Sequence, residues 1–461
     1  MRRIREYLLD DNRHPSARLT RSENLAAPVV RFAWEELRQA KRLELLSGNA
    51  ASALRDSLRS RLALIAHEVT TSELKLPHSG NCTKRKDRNR PIQDPFFGAF
   101  AKDTLQLLEN YPGLARLWSV QVEWWQRFVT DFVNHARSFV RRKNNTSATV
   151  AAIVADLSDP HCEGRTVMRV RFVPGGDWYY KPRTGCQEVA WFKLLRRLNN
   201  EGFSLPFLIV RTESGNQHSW MEAVRARSCV NRTEERRLWY RSGALSYLIH
   251  LLRGVDFHEA NLIVSGDQPV FVDVETLLHP NTSLPTAFRA EDTSILRTGL
   301  FPVSIPTEGS HYGFAKLRRS SRGAAGLYSE RTMPSELVDE LITGFEAMHA
   351  FVTAKPHRKR YIRRLAVGLA KLPGRIIHRP TRQYVSMLAA SLAPTLMRDE
   401  FQRTVFLLTA CTEDAGSPEQ TLTEYQALEN ADIPVFVSLR RRVQVNFHRM
   451  KIRPSVHSAA M

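Results

Sequence analysis

The sequence predicts an α+β fold in which helices flank a central region of short strands. Apolar residues recur at helical spacing in residues 26–46, 51–68 and 105–139, and again from Ser335 to about Leu408. From about Val150, short runs alternate apolar and polar side chains, as half-buried strands do. The 461 residues contain no internal repeat, and their number suits several domains or one large composite domain.

The charge balance narrows the classes of partner. The chain has 67 Lys and Arg against 47 Asp and Glu, a formal net charge of +20, which predicts an anionic partner such as an acidic peptide, a phosphate, nucleic acid or a membrane surface. No helix-turn-helix, zinc-finger or RNA-binding aromatic motif is present, so nucleic acid is disfavoured. No apolar run reaches the roughly 18 residues of a membrane span, and the charged N-terminus lacks a signal-peptide core.

The cysteines and termini favour a reduced, cytoplasmic protein. The five cysteines are scattered and never form a C-x-x-C pair, which disfavours a disulfide framework or a structural zinc knuckle.

The central region predicts two hairpins separated by helices and strands. Residues 167–181 form the first hairpin, with turn-forming residues at 174–177. Strands are predicted at 207–210 and 219–224, and helices at 188–198 and 234–252. The second hairpin pairs residues 262–264 with 270–272.

Residues around the second hairpin match what phosphoryl transfer from ATP requires. That chemistry needs a carboxylate beside the attacking hydroxyl, an Asn and an Asp for metal ions, and a lysine on a strand for the phosphates. Asp256 and Asn261 have the spacing of a kinase catalytic loop, and Asp273 follows the next apolar strand. Lys181 ends a strand of the first hairpin. The ordered set predicts kinase-like chemistry.

Each member of this set also has an ordinary structural interpretation. An Asp in a loop commonly caps a turn, a strand-end Lys is commonly solvated, and His258 alone is typical of a hydrogen-bonded structural histidine. The order of the elements, rather than any one residue, therefore carries the prediction.

Six motifs, taken in order, resemble a known family. They are residues 159–165, 180–183, 256–261, 273–278, 375–381 and 432–434. In this order they resemble the dehydratase domain of class II (LanM-type) lanthipeptide, or lantibiotic, synthetases, over about residues 90 to 437. The resemblance implies a kinase-like, two-lobed core similar to that of lipid kinases, with large helical additions.

The resemblance also implies a division of the chain. It predicts an N-terminal helical region (1–149), an N-lobe with a nucleotide-binding hairpin (150–225), a C-lobe with the catalytic loop and an elimination segment (226–437), and an irregular basic tail (438–461).

The activity implied by the resemblance has two steps. Ser and Thr of a precursor peptide are phosphorylated with ATP and Mg²⁺, and phosphate is then eliminated to give dehydroalanine and dehydrobutyrine. The residues assigned to catalysis are Asp256, His258, Arg375 and Thr381. Those assigned to nucleotide binding are Lys181, Arg183, Asp159 and His161. Those assigned to Mg²⁺ are Asn261, Asp273 and Glu275.

The elimination role rests on the resemblance alone. A guanidinium such as that of Arg375 can stabilise a departing phosphate through paired hydrogen bonds. Without the resemblance, Arg375 and Arg379 are interpreted as solvated charges on a helix or strand edge.

Two departures from the family pattern leave alternatives open. Ala260 stands where the family has a Glu, and no cysteine follows Asp432 to ligate the zinc of a cyclase domain. The resemblance therefore implies a precursor peptide with an acidic leader and, for ring formation, a separate zinc-dependent cyclase, with this chain stand-alone or truncated. The alternatives are an atypical lipid- or protein-kinase-like phosphotransferase without elimination, and an inactive remnant that still binds peptide.

Overall fold

The computed structural model of the protein describes residues 2–10, 19–39, 43–75, 100–145, 147–280, 294–301, 314, 317, 334–413 and 415–439. The chain divides into two compact units. Unit 1 comprises Met1–Thr184, Gly215–Ala223 and Arg379–Val435, and unit 2 comprises Gly185–Ser214, Val224–His378 and Phe436–Met461. The predicted α+β class is confirmed; the two-lobed, kinase-like core stays a prediction.

The order of the described helices and strands agrees in part with the order that the sequence predicts. The helices are α1 (Arg2–Asp10), α2 (Arg21–Gln39), α3 (Gly48–Lys75), α4 (Phe100–Asn110), α5 (Pro112–Arg142), α6 (Cys186–Asn200), α7 (Arg232–Leu251), α8 (Ser335–Thr353), α9 (Arg358–Ala370), α10 (Thr381–Ser391), α11 (Pro394–Arg398), α12 (Glu400–Thr412) and α13 (Pro418–Glu429). The strands are β1 (Thr149–Val154), β2 (Met168–Val173), β3 (Gly176–Lys181), β4 (Thr212–Ser214), β5 (Ser219–Glu222), β6 (Leu262–Ser265), β7 (Gln268–Phe271), β8 (Pro373–Ile376) and β9 (Phe436–Leu439).

Unit 1 packs an antiparallel sheet against long helices. Strands β1, β2, β3 and β5 are neighbours in that order, and β2 and β3 form the predicted first hairpin. Phe139 of α5 stacks on Trp220 of β5 with ring centroids 4.7 Å apart, and Phe132 contacts Tyr180 of β3 at 5.2 Å. Aromatic side chains therefore hold the strand that ends at Lys181 against α5.

The predicted helical pattern of residues 105–139 is interrupted once. Pro112 stands at the first turn of α5, where its missing N–H needs no partner, so a new helix begins there rather than α4 continuing. Helix α2 likewise ends at Gln39, short of the predicted Leu46.

Unit 2 contains two close-packed helices and two small sheets. Helices α7 and α8 pack along each other, β6 pairs with β7 as the predicted second hairpin, and β8 pairs with β9. No helix in the described part of the chain combines the length and apolar character needed to cross a membrane.

Three predictions about local structure need correction. Residues 207–210 do not form a strand, because the Asn199 side chain hydrogen-bonds both main-chain groups of Phe207. Its Oδ1 accepts the N–H of Phe207 and its Nδ2 donates to the carbonyl of Phe207, each at 2.8 Å. The helical region predicted from Ser335 contains strand β8, which begins at the helix-breaking pair Pro373-Gly374. Ser438 and Leu439, assigned to the irregular tail, belong to β9; residues 440–461 lie outside the described residues.

Glycine makes the contact between α7 and α8 possible. A Cβ added at Gly243 would lie 1.9 Å from the carbonyl oxygen of Leu341, so the helices would have to separate. We expect Gly243→Ala to lower the free energy of unfolding by about 3 kcal/mol, as overpacking does, measured by urea unfolding.

The matched control is Gly368→Ala in α9. No atom lies within 4 Å of a Cβ added there, so only the better helix propensity of Ala acts, and stability should rise by roughly 0.5–1 kcal/mol. Equal effects of the two substitutions would contradict the close packing of α7 on α8.

Candidate active site

The loop after α7 fixes the first two candidate residues of unit 2. Asp256 adopts a left-handed backbone conformation with φ of 63°, which Asp tolerates better than most residues. The neighbouring Phe257 is fully buried, its ring lies 5.3 Å from that of Phe271, and its N–H donates to the carbonyl of Thr298 at 2.8 Å. A buried aromatic anchor thus holds Asp256 and His258 in place.

Hydrogen bonds join Asp256, His258 and Asn261 into one loop. The Asn261 side-chain Nδ2 donates to the main-chain carbonyl of Asp256 at 3.0 Å. The Nδ1 atom of His258 accepts the N–H of Ala260 at 3.3 Å, and the Nε2 atom of the ring lies 3.3 Å from Nδ2 of Asn261. That Nε2 lies 3.9 Å from Oδ1 of Asp256. The spacing of Asp256, His258 and Asn261 in the sequence therefore brings the three residues together in one loop.

The second hairpin returns the chain to this loop. The N–H of Val272, directly after β7, donates to the carbonyl of Asn261 at 3.0 Å. Asp273 follows at once, and its Oδ1 accepts the N–H of Glu275 at 3.4 Å. Asp273 is therefore adjacent in the chain to a residue that is hydrogen-bonded to Asn261.

Strand β8 adds Arg375 to the same cluster. Its main-chain N–H donates to the carbonyl of Glu275 at 2.9 Å, and its guanidinium Nη1 lies 2.8 Å from Oε1 of the same residue. Only 18% of the Arg375 side chain is exposed, so the alternative interpretation of Arg375 as a solvated charge is wrong. The residue nominated for elimination lies beside those nominated for phosphoryl transfer.

Charges in this cluster shift the pKa values of its members. Removal of water from around Asp256 raises the pKa of its carboxyl, and His258 and Arg375 oppose that rise, while Asp273 and Glu275 add to it. Part of the Asp256 side chain, 40%, still reaches solvent, which limits the effect. For Arg375, burial disfavours the charge, but Glu275, Asp256 and Asp273 raise its pKa above the ordinary value.

The donor atoms suit a hard cation shared with a nucleotide. Among the described residues, no group of three or more His, Cys, Asp and Glu side chains is arranged to hold a metal ion. Asn261 and Asp273 offer an amide oxygen and a carboxylate, and Mg²⁺ commonly takes one or two carboxylates together with substrate phosphates. Glu275 is already bonded to Arg375, so it fits a supporting role better than a direct ligand.

The candidates for nucleotide binding lie in unit 1. Lys181 is the last residue of β3, pairs in register with Ser219 and is 5% exposed. The Arg183 side chain donates to the carbonyl of Thr184 at 3.3 Å. The assignment of Lys181 and Arg183 to nucleotide phosphates stays a prediction.

The segment with Asp159 and His161 contacts residues 432–434, the last of the six motifs, also within unit 1. The His161 Nδ1 lies 3.0 Å from the carbonyl oxygen of Ile433. The Asp432 carboxylate accepts the N–H groups of Glu163 and Gly164 at 2.8 and 3.3 Å, yet burial still raises the pKa of that carboxyl. Two motifs far apart in sequence therefore form one packed loop; its role toward a nucleotide stays a prediction.

The 375–381 segment divides between the units. Residues 375–378 belong to unit 2, and residues from Arg379 onward belong to unit 1, where Thr381 begins α10. Arg379 is not a solvated charge: it is 6% exposed and its Nε lies 3.1 Å from both carboxylate oxygens of Glu424. Burial with a paired carboxylate corrects that interpretation, and the elimination role of Thr381 stays a prediction.

A stacked histidine pair next to Lys181 predicts acid sensitivity. The rings of His135 and His218 are 3.7 Å apart, and burial lowers the pKa of His218 to about 4 from the ordinary 6.5. The unfolded chain therefore binds more protons than the folded chain between these values, so stability falls as pH drops from 6.5 towards 4. His218→Gln should flatten this fall in the free energy of unfolding, measured by urea unfolding at about pH 7 and pH 5. The exposed control His67→Gln should keep the fall. A fall that His218→Gln keeps and His67→Gln loses would contradict this role of His218.

Two further residues, His279 and Thr276, hold the cluster in position. The Nε2 atom of His279 accepts the N–H of Ile377 at 3.0 Å and so ties β8 to the chain after Glu275. The hydroxyl of Thr276 donates to the carbonyl of Val255 at 2.5 Å, next to Asp256. Thr276 lies within a motif that the sequence singled out, but nothing in the sequence alone marks it or His279 as a positioning residue.

Similarity to known proteins is found both with a protein family and with a single relative. The family described as a domain of unknown function (DUF4135) matches residues 111–326 and 316–438. The lacticin 481/lactococcin biosynthesis protein LcnDR2 of Lactococcus lactis subsp. lactis is 28% identical over 141 residues. That alignment covers 27% of this chain and 15% of the relative, so it spans a small part of the relative's length.

Proposed function

The chain belongs to the DUF4135 family and is related to the LanM-type lanthipeptide synthetases, and on that premise we propose that it dehydrates Ser and Thr residues of a precursor peptide. In the first step ATP phosphorylates the hydroxyl, and in the second the phosphate is eliminated. Support comes from the similarity to a lacticin 481/lactococcin biosynthesis protein and from the geometry of unit 2.

One observation carries the proposal. Arg375 forms an ion pair with Glu275 at 2.8 Å and interacts electrostatically with Asp256 and Asp273. A phosphotransferase needs the two aspartates but has no need of a guanidinium from a distant strand beside them. A dehydratase needs both, because the phosphate that is first attached must then leave.

Different residues of the cluster are proposed to act in phosphorylation and in elimination. Asp256, whose carboxyl has a raised pKa, accepts the proton of the attacking hydroxyl, and His258 and Asn261 orient it. Asn261 and Asp273 would hold Mg²⁺, which supplies neutralisation of phosphate charge. In the second step a carboxylate of the cluster takes the α-proton, and the electron pair of the broken Cα–H bond forms the double bond to the β-carbon. The β-carbon–oxygen bond then breaks with its electron pair leaving on the phosphate, to which Arg375 donates hydrogen bonds. Lys181 and Arg183 are proposed to contact the nucleotide.

A second function is favoured by a different contact, the main-chain hydrogen bond from Arg375 to the carbonyl of Glu275. Because Glu275 already neutralises Arg375, the arginine also fits a purely structural role that ties β8 to the catalytic loop. The chain would then be a phosphotransferase without elimination.

The test is incubation of the full chain with ATP, Mg²⁺ and a candidate precursor peptide, followed by mass spectrometry. Dehydration predicts the loss of one water per modified residue, and only when ATP is present. Stable gain of a phosphate without water loss would favour the phosphotransferase, and an unchanged peptide mass would reject both.

A further inference from the structure

We propose that the exposed face of helix α9 in unit 2 binds an acidic segment of the peptide substrate, an inference that rests on the proposed function. We name this region the α9 basic surface and define it by Arg358 at the first turn of the helix together with Lys359, Arg360, Arg363 and Arg364 on its exposed side.

The surface stands out from the rest of the chain by its charge. Residues 347–398 contain 11 Lys or Arg and no Asp or Glu. The five residues of the α9 basic surface are all exposed, and none forms a salt bridge with a described residue. Four other basic residues of this stretch form ion pairs, among them Lys355 with Glu201 at 3.1 Å and Arg375 with Glu275 at 2.8 Å.

The opposite face of α9 packs against the rest of unit 2. Tyr361, Ile362 and Leu365 are buried, and the Tyr361 hydroxyl donates to Glu201 at 2.7 Å. The helix is therefore anchored in a fixed rotation, which presents its cations to solvent as an ordered set.

Such a set is unfavourable for the free protein. Like charges three and four residues apart repel on a helix, and cations at a helix N-terminus oppose the helix dipole. Arg360, Arg363 and Arg364 have this spacing, and the cluster begins at the first residue of α9. An anionic partner would relieve both the repulsion between the cations and their unfavourable interaction with the helix dipole.

The space over these residues suits a peptide. His357, Arg358, Lys359, Arg360 and Arg363 line an open cavity of about 730 Å³, the size of a few amino-acid residues. The five cations span seven residues, about 10 Å of helix, whereas proteins that hold duplex nucleic acid commonly engage some 6–10 phosphates. Guanidinium groups pair well with carboxylates in the fork geometry, so Asp and Glu side chains are the expected ligands.

The chain connects this surface directly to the candidate active site. Helix α9 ends at Ala370, and β8, which carries Arg375, begins at Pro373. A helix of this length extends about 20 Å, so a peptide held on α9 lies within a short stretch of chain of the residues that would modify it.

The test measures binding without nucleotide, so that it does not depend on catalysis. A fluorescent peptide rich in Asp and Glu, and the same peptide with Asn and Gln, are titrated with the full chain, followed by anisotropy. We expect the acidic peptide alone to bind, with affinity falling as salt increases. Arg360→Glu/Arg363→Glu should weaken binding about tenfold, since two weak exposed attractions become repulsions.

The matched control is Lys193→Glu/Arg196→Glu on α6, two exposed residues with the same spacing and the same change in net charge. It should change affinity by less than about twofold. Equal loss in both variants would overturn the surface, as would tighter binding of a single-stranded oligonucleotide through Arg360 and Arg363. If the double Glu variant does not fold, Arg360→Gln/Arg363→Gln replaces it with the same expected direction.

Failure of this inference is separable from failure of the proposed function. Acidic-peptide binding lost only in the α9 variant, with no dehydration by the wild-type chain, would retain the surface and reject the chemistry. Dehydration of a peptide that binds equally well to both variants would retain the proposed chemistry and reject the α9 basic surface.

Discussion

Replacing Asp256 with Asn should lower the rate of peptide modification by about a thousandfold, within the range lost when a general base is removed. The change keeps the size of the side chain, and Asn tolerates the left-handed backbone of this position, where φ is 63°. The fold is therefore expected to survive while proton acceptance is lost. Initial rates of water loss, followed by mass spectrometry, measure the effect.

The control for this substitution is Asp339→Asn, which removes an exposed carboxylate from α8 in the same unit. It should leave the rate unchanged. A rate for Asp256→Asn within a few-fold of wild type would remove Asp256 from the catalytic role.

Replacing Arg375 with Gln should convert the product from dehydrated peptide to phosphopeptide. Removal of a preorganised hydrogen-bond donor to developing negative charge slows a step by about a hundredfold or more, and here only elimination uses that donor. The ratio of phosphorylated to dehydrated peptide, read by mass, is the measurement. Arg375→Lys keeps the charge without the fork of donors and should give an intermediate ratio.

A structural role for Arg375 predicts a different outcome. Loss of its 2.8 Å pair with Glu275 would disturb the loop as a whole, and phosphorylation and elimination would then fall together. Dehydrated peptide without accumulated phosphopeptide from Arg375→Gln would exclude the elimination role. Arg382→Gln, an exposed arginine of α10, is the control.

The sequence predicts the catalytic loop because its signals are local. The spacing of Asp256 and Asn261 and the turn between β6 and β7 depend on residues close in the chain, and the hairpin then returns Val272 to within 3.0 Å of Asn261. Both hairpins form for the same reason.

The remainder depends on contacts between distant residues, which periodicity does not encode. The carboxamide of Asn199 satisfies the backbone of Phe207 and so replaces a strand, and β8 forms because residues of β9, far along the chain, pair with it. The Arg379–Glu424 pair has the same character: only the fold reveals that this arginine is buried.

The most direct test of the nucleotide–magnesium site does not need the precursor peptide. Thermal unfolding of the full chain is measured with and without Mg²⁺ and ATP, and again for Asp273→Asn. Ligand at about 100 times its dissociation constant stabilises a folded protein by roughly 2.7 kcal/mol, so the wild-type Tm should rise only when both are present. We expect Asp273→Asn to lose this rise. An unshifted Tm in the wild type, or an equal rise in the variant, would contradict a nucleotide–magnesium site at Asp273.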